Sequence, residues 1–222
     1  MKKKSLVTMA VSLALVAVIG VGSTFAYLSS TTGEVKNTFT VGNVKISIDE
    51  DKYDTPDDPN DRTETGNDYK DIYPGQEIKK DPTVYVEANS AKSYVYLKVE
   101  GLNALATTKA KDADGKEIDA FSVKYNGNNG LNSDAWEKIE GTGTGMDGIY
   151  RYIKGGGTVA KSETRQTLDP LFDQIVFNAK VEINDETDPM TIADIKVKAC
   201  AVQAEGVVEA DAFIEASRLL NK

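Results

Sequence analysis

Apolar and polar residues alternate along several short stretches of this chain, and such alternation is typical of half-buried β-strands. The longest stretch runs from Leu171 to Ile183, where Ile175, Phe177 and Val181 fall on one side. Shorter alternations predict strands at 39–48, with a kink at Gly42, and at 83–88, 94–100, 118–125, 135–139, 148–153 and 195–204. The chain is therefore predicted to be mostly β.

The apolar period changes near the C-terminus. From Val208 onward the apolar residues recur at helical spacing, which predicts a helix over 207–221. The pair Asp114-Gly115 is a typical hairpin turn between two strands. At least seven short strands separated by turns, followed by one terminal helix, predict an antiparallel β-sandwich.

The first 26 residues have the organisation of a secretory signal peptide. Three lysines at 2–4 precede an uncharged apolar run from Leu6 to Gly22, and Ala26 is a small residue suited to signal peptidase. Cleavage is predicted between Ala26 and Tyr27, which leaves 27–222 as a single domain. The alternative is an uncleaved membrane anchor, since the apolar run is only slightly shorter than a full membrane span.

The stretch from 49 to 72 is dense in acidic residues and has no apolar periodicity, so it is predicted to be an exposed loop. Carboxylates are hard oxygen ligands of the kind that Ca²⁺ prefers, although the spacing lacks the central glycine of an EF-hand. Weak calcium candidates in this loop and at the Asp114 turn are Asp54, Asp57, Asp58, Asp61, Asp112 and Asp114. No other cofactor is predicted.

Composition narrows the possible functions. The formal net charge is -9, and the predicted leader removes three lysines and no acids, which argues against nucleic acids and anionic membranes as partners. Membrane contact is expected only through an uncleaved leader. The chain has no histidine, so Ser-His-Asp and Cys-His catalysis and the HExxH zinc motif are excluded. No catalytic residues are predicted.

Two further residue types leave alternatives open. Cys200 is the only cysteine, and it is either a buried small apolar residue or the site of an intermolecular crosslink. Tyr85, Tyr94 and Tyr96 lie on neighbouring predicted strands, where they either pair across strands or form a contact surface for sugars or proteins.

Five short segments, taken together and in this order, resemble the TasA/camelysin family. This family consists of exported proteins of Gram-positive bacteria whose leader is typically cut by a SipW-type signal peptidase. The segments are Phe25-Ala26-Tyr27-Leu28-Ser29-Ser30, Asn37-Thr38-Phe39-Thr40-Val41-Gly42-Asn43-Val44, Tyr73-Pro74-Gly75-Gln76 with Lys80-Asp81-Pro82, Pro170-Leu171-Phe172-Asp173, and Ala201-Val202-Gln203-Ala204-Glu205-Gly206.

The resemblance implies a jelly-roll-like sandwich and a matrix protein that assembles into extracellular fibres in biofilms. In such fibres the mature N-terminal segment of one subunit adds a strand to the next. In this chain the donor would run from Tyr27 to about Phe39, and the assembly residues would be Tyr27, Leu28, Val35, Phe39 and Val41. Here the segment is not strongly apolar.

The sequence thus predicts a non-enzymatic structural protein, secreted into the extracellular matrix or displayed at the cell surface. Its expected partners are copies of itself or related matrix proteins, and signal peptidase during export. One alternative is a camelysin-like secreted metallopeptidase, which the absence of histidine disfavours because a zinc site would need carboxylates alone. Another is an adhesive module that binds glycans or proteins.

Overall fold

The computed structural model of the chain describes residues 43–53, 61–183 and 194–222. The predicted leader, its cleavage site between Ala26 and Tyr27, and the proposed donor segment up to Val41 lie outside these residues. Asp54, Asp57 and Asp58 lie outside them as well. The expectations attached to these positions stay predictions.

Short strands make up most of the described part of the chain, and two helices accompany them. The strands are β1 (Ile46–Asp51), β2 (Arg62–Thr63), β3 (Glu77–Lys79), β4 (Thr83–Val86), β5 (Ser93–Glu100), β6 (Lys109–Lys111), β7 (Glu117–Asp119), β8 (Phe121–Tyr125), β9 (Asn128–Asn129), β10 (Trp136–Lys138), β11 (Gly148–Tyr152), β12 (Gln166–Thr167), β13 (Gln174–Phe177) and β14 (Lys196–Gln203). The helices are α1 (Leu102–Ala106) and α2 (Glu209–Leu220).

Every strand pair in the described residues is antiparallel, which confirms the predicted fold class. One four-stranded sheet has the order β12-β4-β1-β2, a second β10-β11-β5-β14, and a third β3-β13-β8-β9. The remaining pair, β6-β7, is the hairpin predicted at Asp114-Gly115. The short strands at turn-punctuated spacing have therefore formed stacked antiparallel sheets and not one continuous sheet.

The longest pairing joins β5 and β14 over eight residues, from Lys196 opposite Glu100 to Gln203 opposite Ser93. Alternate residues of β5 point to opposite sides of the sheet. Val95, Leu97 and Val99 are fully buried in the main core, as the alternation predicted. Tyr96 points the other way and is also fully buried, because α2 covers that side.

The main core fills the space between the apolar faces of the sheets. Two aromatic pairs lie within it: the rings of Phe121 and Phe177 are stacked 4.7 Å apart, and those of Trp136 and Tyr152 meet edge to face at 5.0 Å. The Trp136 indole donates a hydrogen bond of 2.7 Å to the Asp169 carbonyl. The aromatic residues thus contribute apolar area while the buried indole N–H keeps a partner.

Helix α2 packs on the outer side of the β5-β14 sheet, as the apolar period near Val208 predicted. Its small residues Ala212 and Ala216 allow close approach to Tyr96 and Cys200. Glu209 lies in the first turn, where a negative charge complements the positive end of the helix dipole, and it also pairs with Arg151 of β11. Across the described ranges, neither helix has the length and apolar character needed to cross a membrane.

Three predicted elements differ from the structure. The strand expected at 118–125 is divided at Ala120 into β7, which pairs with β6, and β8, which pairs with β13. The acidic stretch 49–72 was expected to be an exposed loop, but its first residues continue β1 to Asp51 and its middle forms β2. The strand expected from Leu171 to Ile183 is confined to β13, since Asn178 ends it: the Lys180 N–H donates to the Asn178 side chain at 3.0 Å. Such local side-chain bonds compete with strand pairing.

Cys200 lies on β14 beneath α2, so the thiol occupies the environment of a buried apolar residue. Burial raises the pKa of the Cys200 thiol to about 12, which keeps it protonated at pH 8. Because only the thiolate is reactive, we expect an aromatic disulfide reagent at pH 8 to label the folded protein about a thousandfold more slowly than the guanidinium-unfolded protein. Rapid labelling of the folded protein would contradict this burial and favour the crosslink.

Candidate functional site

A broad groove of about 1390 Å³ opens beside β1 and the first half of β14. Apolar and polar residues both line it, and the polar ones come from β1, from the segment after β2, and from other parts of the fold such as Lys80, Glu182 and Lys196. The apolar lining includes Ile48, Leu105, Phe121, Phe177, Ile195 and Val197. Ile48, Ile195 and Val197 are only partly buried although they pack against the main core, so the groove leaves part of the core open.

β14 forms the end of its sheet, and the groove runs along its first residues. Within the described residues no strand pairs with its outer edge. An edge of eight residues presents unpaired backbone N–H and C=O groups, which are a template for adding another strand. Lys196 and Lys198 are exposed on this strand, and edge lysines discourage unspecific pairing. The edge can therefore accept a strand while limiting random association.

An ion-pair cluster closes the far end of β1. The guanidinium group of Arg62 on β2 hydrogen-bonds to Asp49 at 2.6 Å, to Asp81 at 3.0 Å, and to Asp51. It also donates to the Thr83 hydroxyl at 3.1 Å. Although partial burial alone would lower it, the pKa of Arg62 is raised above its usual value by the hydrogen bonds and charges of Asp49 and Asp81. We call these four charged residues the Arg62 cluster.

A second polar group lies on the inner side of β1. Glu50 occupies a position that the alternation assigns to the core, and its Oε2 accepts a hydrogen bond of 2.7 Å from Lys80 Nζ. Its Oε1 accepts a 2.9 Å hydrogen bond from the side-chain amide of Asn67. Glu50 and Lys80 are each only 6% exposed. We call these residues the Lys80-Glu50-Asn67 triad.

The aromatic residues beside the triad complete its surroundings. The Lys80 ammonium lies 5.3 Å from the centre of the Tyr69 ring, and the ring of Tyr53 meets that of Tyr69 edge to face at 4.9 Å. Burial, and next the charge of Glu50, raise the pKa of the Tyr69 hydroxyl above its usual range. The aromatic pair thus packs against the triad, while Glu50, Asn67 and Lys80 also border the groove.

The weak calcium candidates within the described residues do not come together. Asp61 forms an ion pair of 2.6 Å with Lys52. The Asp112 carboxylate accepts the backbone N–H groups of Asp114 and Lys116, so it stabilises the β6-β7 turn. In the ranges that the structure describes, no group of three or more Cys, Asp or Glu side chains is placed to hold a metal ion.

The three tyrosines have different environments. Arg165 lies over the ring of Tyr85 at 3.6 Å from its centre, on the outer face of the β4-β1 sheet. Tyr96 is buried under α2, which raises its pKa to about 12, and Tyr94 packs partly against the same cluster. Tyr96 is therefore a packing residue, and the three residues do not form one continuous contact surface.

Sequence reasoning missed both the Arg62 cluster and the triad. Glu50 was the one available signal, because it falls in phase with Ile46 and Ile48 and so occupies an inward position of the strand. Its partner Lys80 is 30 residues away along the chain, and short-range patterns carry no information about such a pair.

Comparisons with protein-family models, with curated proteins and with solved structures find no match for this chain. The resemblance to the TasA/camelysin family stays a prediction based on the five short segments.

Proposed function

We propose that this protein is a non-enzymatic structural protein of a Gram-positive bacterium, secreted into the extracellular matrix of biofilms or displayed at the cell surface. In this proposal it associates with copies of itself or with related matrix proteins, and its sheets are arranged as a jelly-roll-like sandwich. The observation that supports the proposal most is the outer edge of β14 beside the open groove, whose lining includes exposed parts of the core. This combination is suited to accepting a strand from another subunit.

The proposed donor is the segment from Tyr27 to about Phe39, freed when signal peptidase cuts after Ala26. Strand addition would give the backbone of the donor hydrogen bonds along β14, and its apolar residues Leu28, Val35 and Phe39 could enter the groove. Cleavage would then be the step that makes the protein competent to assemble, since it creates the free N-terminal end. The uncleaved leader would keep the protein unassembled.

Electron microscopy of the purified protein beginning at Tyr27 is the direct test. We expect fibres from this protein, and none from a version that lacks residues 27–40. Monomers under all conditions, or equal fibres from both proteins, would overturn strand addition by this segment. Casein hydrolysis that a chelator abolishes would overturn the non-enzymatic role.

A point substitution in the groove tests the acceptor side. Replacing half-buried Ile195 with lysine places a charge among the apolar residues that the donor would contact, so we expect fibre formation to fall at least about tenfold. The matched control is Val208→Lys, at an exposed position just before α2 and outside the groove lining. Fibre formation that is unaffected by Ile195→Lys, in a protein that remains folded, would place the acceptor elsewhere.

A further inference from the structure

The Lys80-Glu50-Asn67 triad brings together a buried nucleophile, a buried proton carrier and a half-buried amide. We propose that Lys80 and Asn67 react with each other to form an intramolecular isopeptide bond, with Glu50 as the catalytic proton carrier. The proposal does not depend on the assembly proposed above, because every group involved belongs to one described domain.

Glu50 contacts both nitrogen atoms that the reaction involves. One carboxylate oxygen lies 2.7 Å from Lys80 Nζ, the attacking nitrogen, and the other lies 2.9 Å from Asn67 Nδ2, the leaving nitrogen. A single carboxylate can therefore accept a proton from the lysine and deliver a proton to the departing group. These distances are within the range required for direct proton transfer.

The carbonyl of the Asn67 amide is also held for attack. Its Oδ1 accepts a hydrogen bond of 2.9 Å from the backbone N–H of Tyr53. A donor in this position stabilises the negative charge that develops on the amide oxygen when a nucleophile adds to the carbon. The same amide donates on its nitrogen side to the Asp51 carbonyl at 2.8 Å, so its plane is set by the end of β1 and the residues just after it.

Burial separates Lys80 from the other lysines of the described ranges, since it is the only buried one among them. Other lysine ion pairs, such as Lys109 with Asp119 and Lys154 with Asp169, are solvent-exposed. Lys80 and Glu50 are each 6% exposed, and exclusion of water favours attack by the amine over hydrolysis. The Lys80 amine and the Glu50 carboxylate thus meet in a buried environment, which a surface ion pair lacks.

The reaction balances without any further reagent. Glu50 takes one proton from the Lys80 ammonium group, and the neutral amine adds to Cγ of Asn67. The new C–N bond forms as the bond from Cγ to Nδ2 breaks, and Glu50 delivers its proton to the leaving nitrogen. The second proton of the attacking nitrogen also passes through Glu50 to the leaving group, so the products are a secondary amide and an ammonium ion, and the protein becomes lighter by about 17 Da.

The bond would join the segment after β2 to the connection between β3 and β4. In a chain with one cysteine, no intramolecular disulfide can provide a covalent crosslink. Closing a loop between positions 67 and 80 restricts the unfolded chain in the way a disulfide does. The isopeptide bond would therefore tie the Arg62 cluster and its strands together covalently.

Tryptic digestion and mass spectrometry of the full folded chain test the proposal directly. Trypsin does not cut after an acylated lysine, so the bond predicts peptide 63–70 joined to peptide 80–92, about 17 Da lighter than the two together. Separate peptides 63–70 and 81–92, with Lys80 cut and Asn67 unmodified, would overturn it. This measurement uses the unaltered protein and needs no variant to fold.

Three variants distinguish the chemistry from its surroundings. Lys80→Arg keeps a cation beside Glu50 but removes the amine, and Glu50→Gln keeps the shape but removes the proton carrier. We expect neither to give the linked peptide, and the intact mass of each to show no loss of ammonia. The matched control, Lys79→Arg, changes the exposed neighbour that pairs with Asp51 and should keep the link. A linked peptide in Lys80→Arg would overturn the assignment.

Discussion

Replacing Arg62 with methionine is expected to lower the free energy of unfolding by about 3–5 kcal/mol, because it removes one partner from a partly buried ion cluster. Asp49, Asp51 and Asp81 all hydrogen-bond to this one guanidinium group. Without it, three carboxylates remain together in the fold. Lys79 would still pair with Asp51, so two of the three lose the cation that stabilises them.

Urea unfolding of the wild type and the variant at pH 7 measures the effect. The control is Arg218→Met on α2, where an exposed arginine pairs with Glu215 at 2.8 Å. Water screens exposed pairs of this kind, so the control should change stability little. Equal and small effects of the two substitutions would mean that solvent screens the Arg62 cluster as it screens a surface pair.

Replacing Phe172 with alanine is the second large effect that we expect, and it should cost about 3–5 kcal/mol. Phe172 is 0% exposed and lies in the main core between β12 and β13. Removing its ring deletes buried apolar area and leaves a cavity that the neighbouring sheets cannot fill by small shifts.

The thermal or urea midpoint of the Phe172→Ala variant checks this expectation. Tyr73→Ala is the control, because Tyr73 is 61% exposed and its loss should change stability by less than about 0.5 kcal/mol. A loss below about 1 kcal/mol for Phe172→Ala would show that the core can close around the missing ring.

The elements predicted best from the sequence are those in which the apolar pattern matches the burial that the fold imposes. β5 alternates along its length and β14 alternates up to Ala199, beyond which both of its faces are partly apolar, and both formed as predicted. Helix α2 was identified because its apolar residues change from a period of two to a helical period. In these segments the local pattern and the tertiary environment agree.

The failures have one physical cause, which is that partners distant in sequence decide the structure. The acids at 49–51 were interpreted as solvated because they are charged, yet Arg62, Lys79 and Lys80 neutralise them inside the fold. Leu171 is in phase with the buried residues of β13, but it and Phe172 enter the core outside any strand. Apolar alternation predicts burial more reliably than it predicts hydrogen bonding.

The candidate site was less predictable than the fold for the same reason. Edge strands are determined by the order of strands in the sheet, and that order is set by contacts between distant segments. The triad joins residues 50, 67 and 80, each from a different segment. Only the inward phase of Glu50 marked the position, and it identified neither Lys80 nor Asn67 as its partner.

The pairing of β5 with β14 also affects how the protein is made. A ribosome adds about 5–20 residues per second, so β14 follows β5 by roughly 5–20 s. During that interval one edge of β5 lacks its partner β14 and one face lacks α2, since these are the last two elements of the described residues. β5 can pair with β14 only after β14 has been synthesised. The rate of translation, and not the diffusion of the chain, therefore sets the earliest time at which this pairing forms.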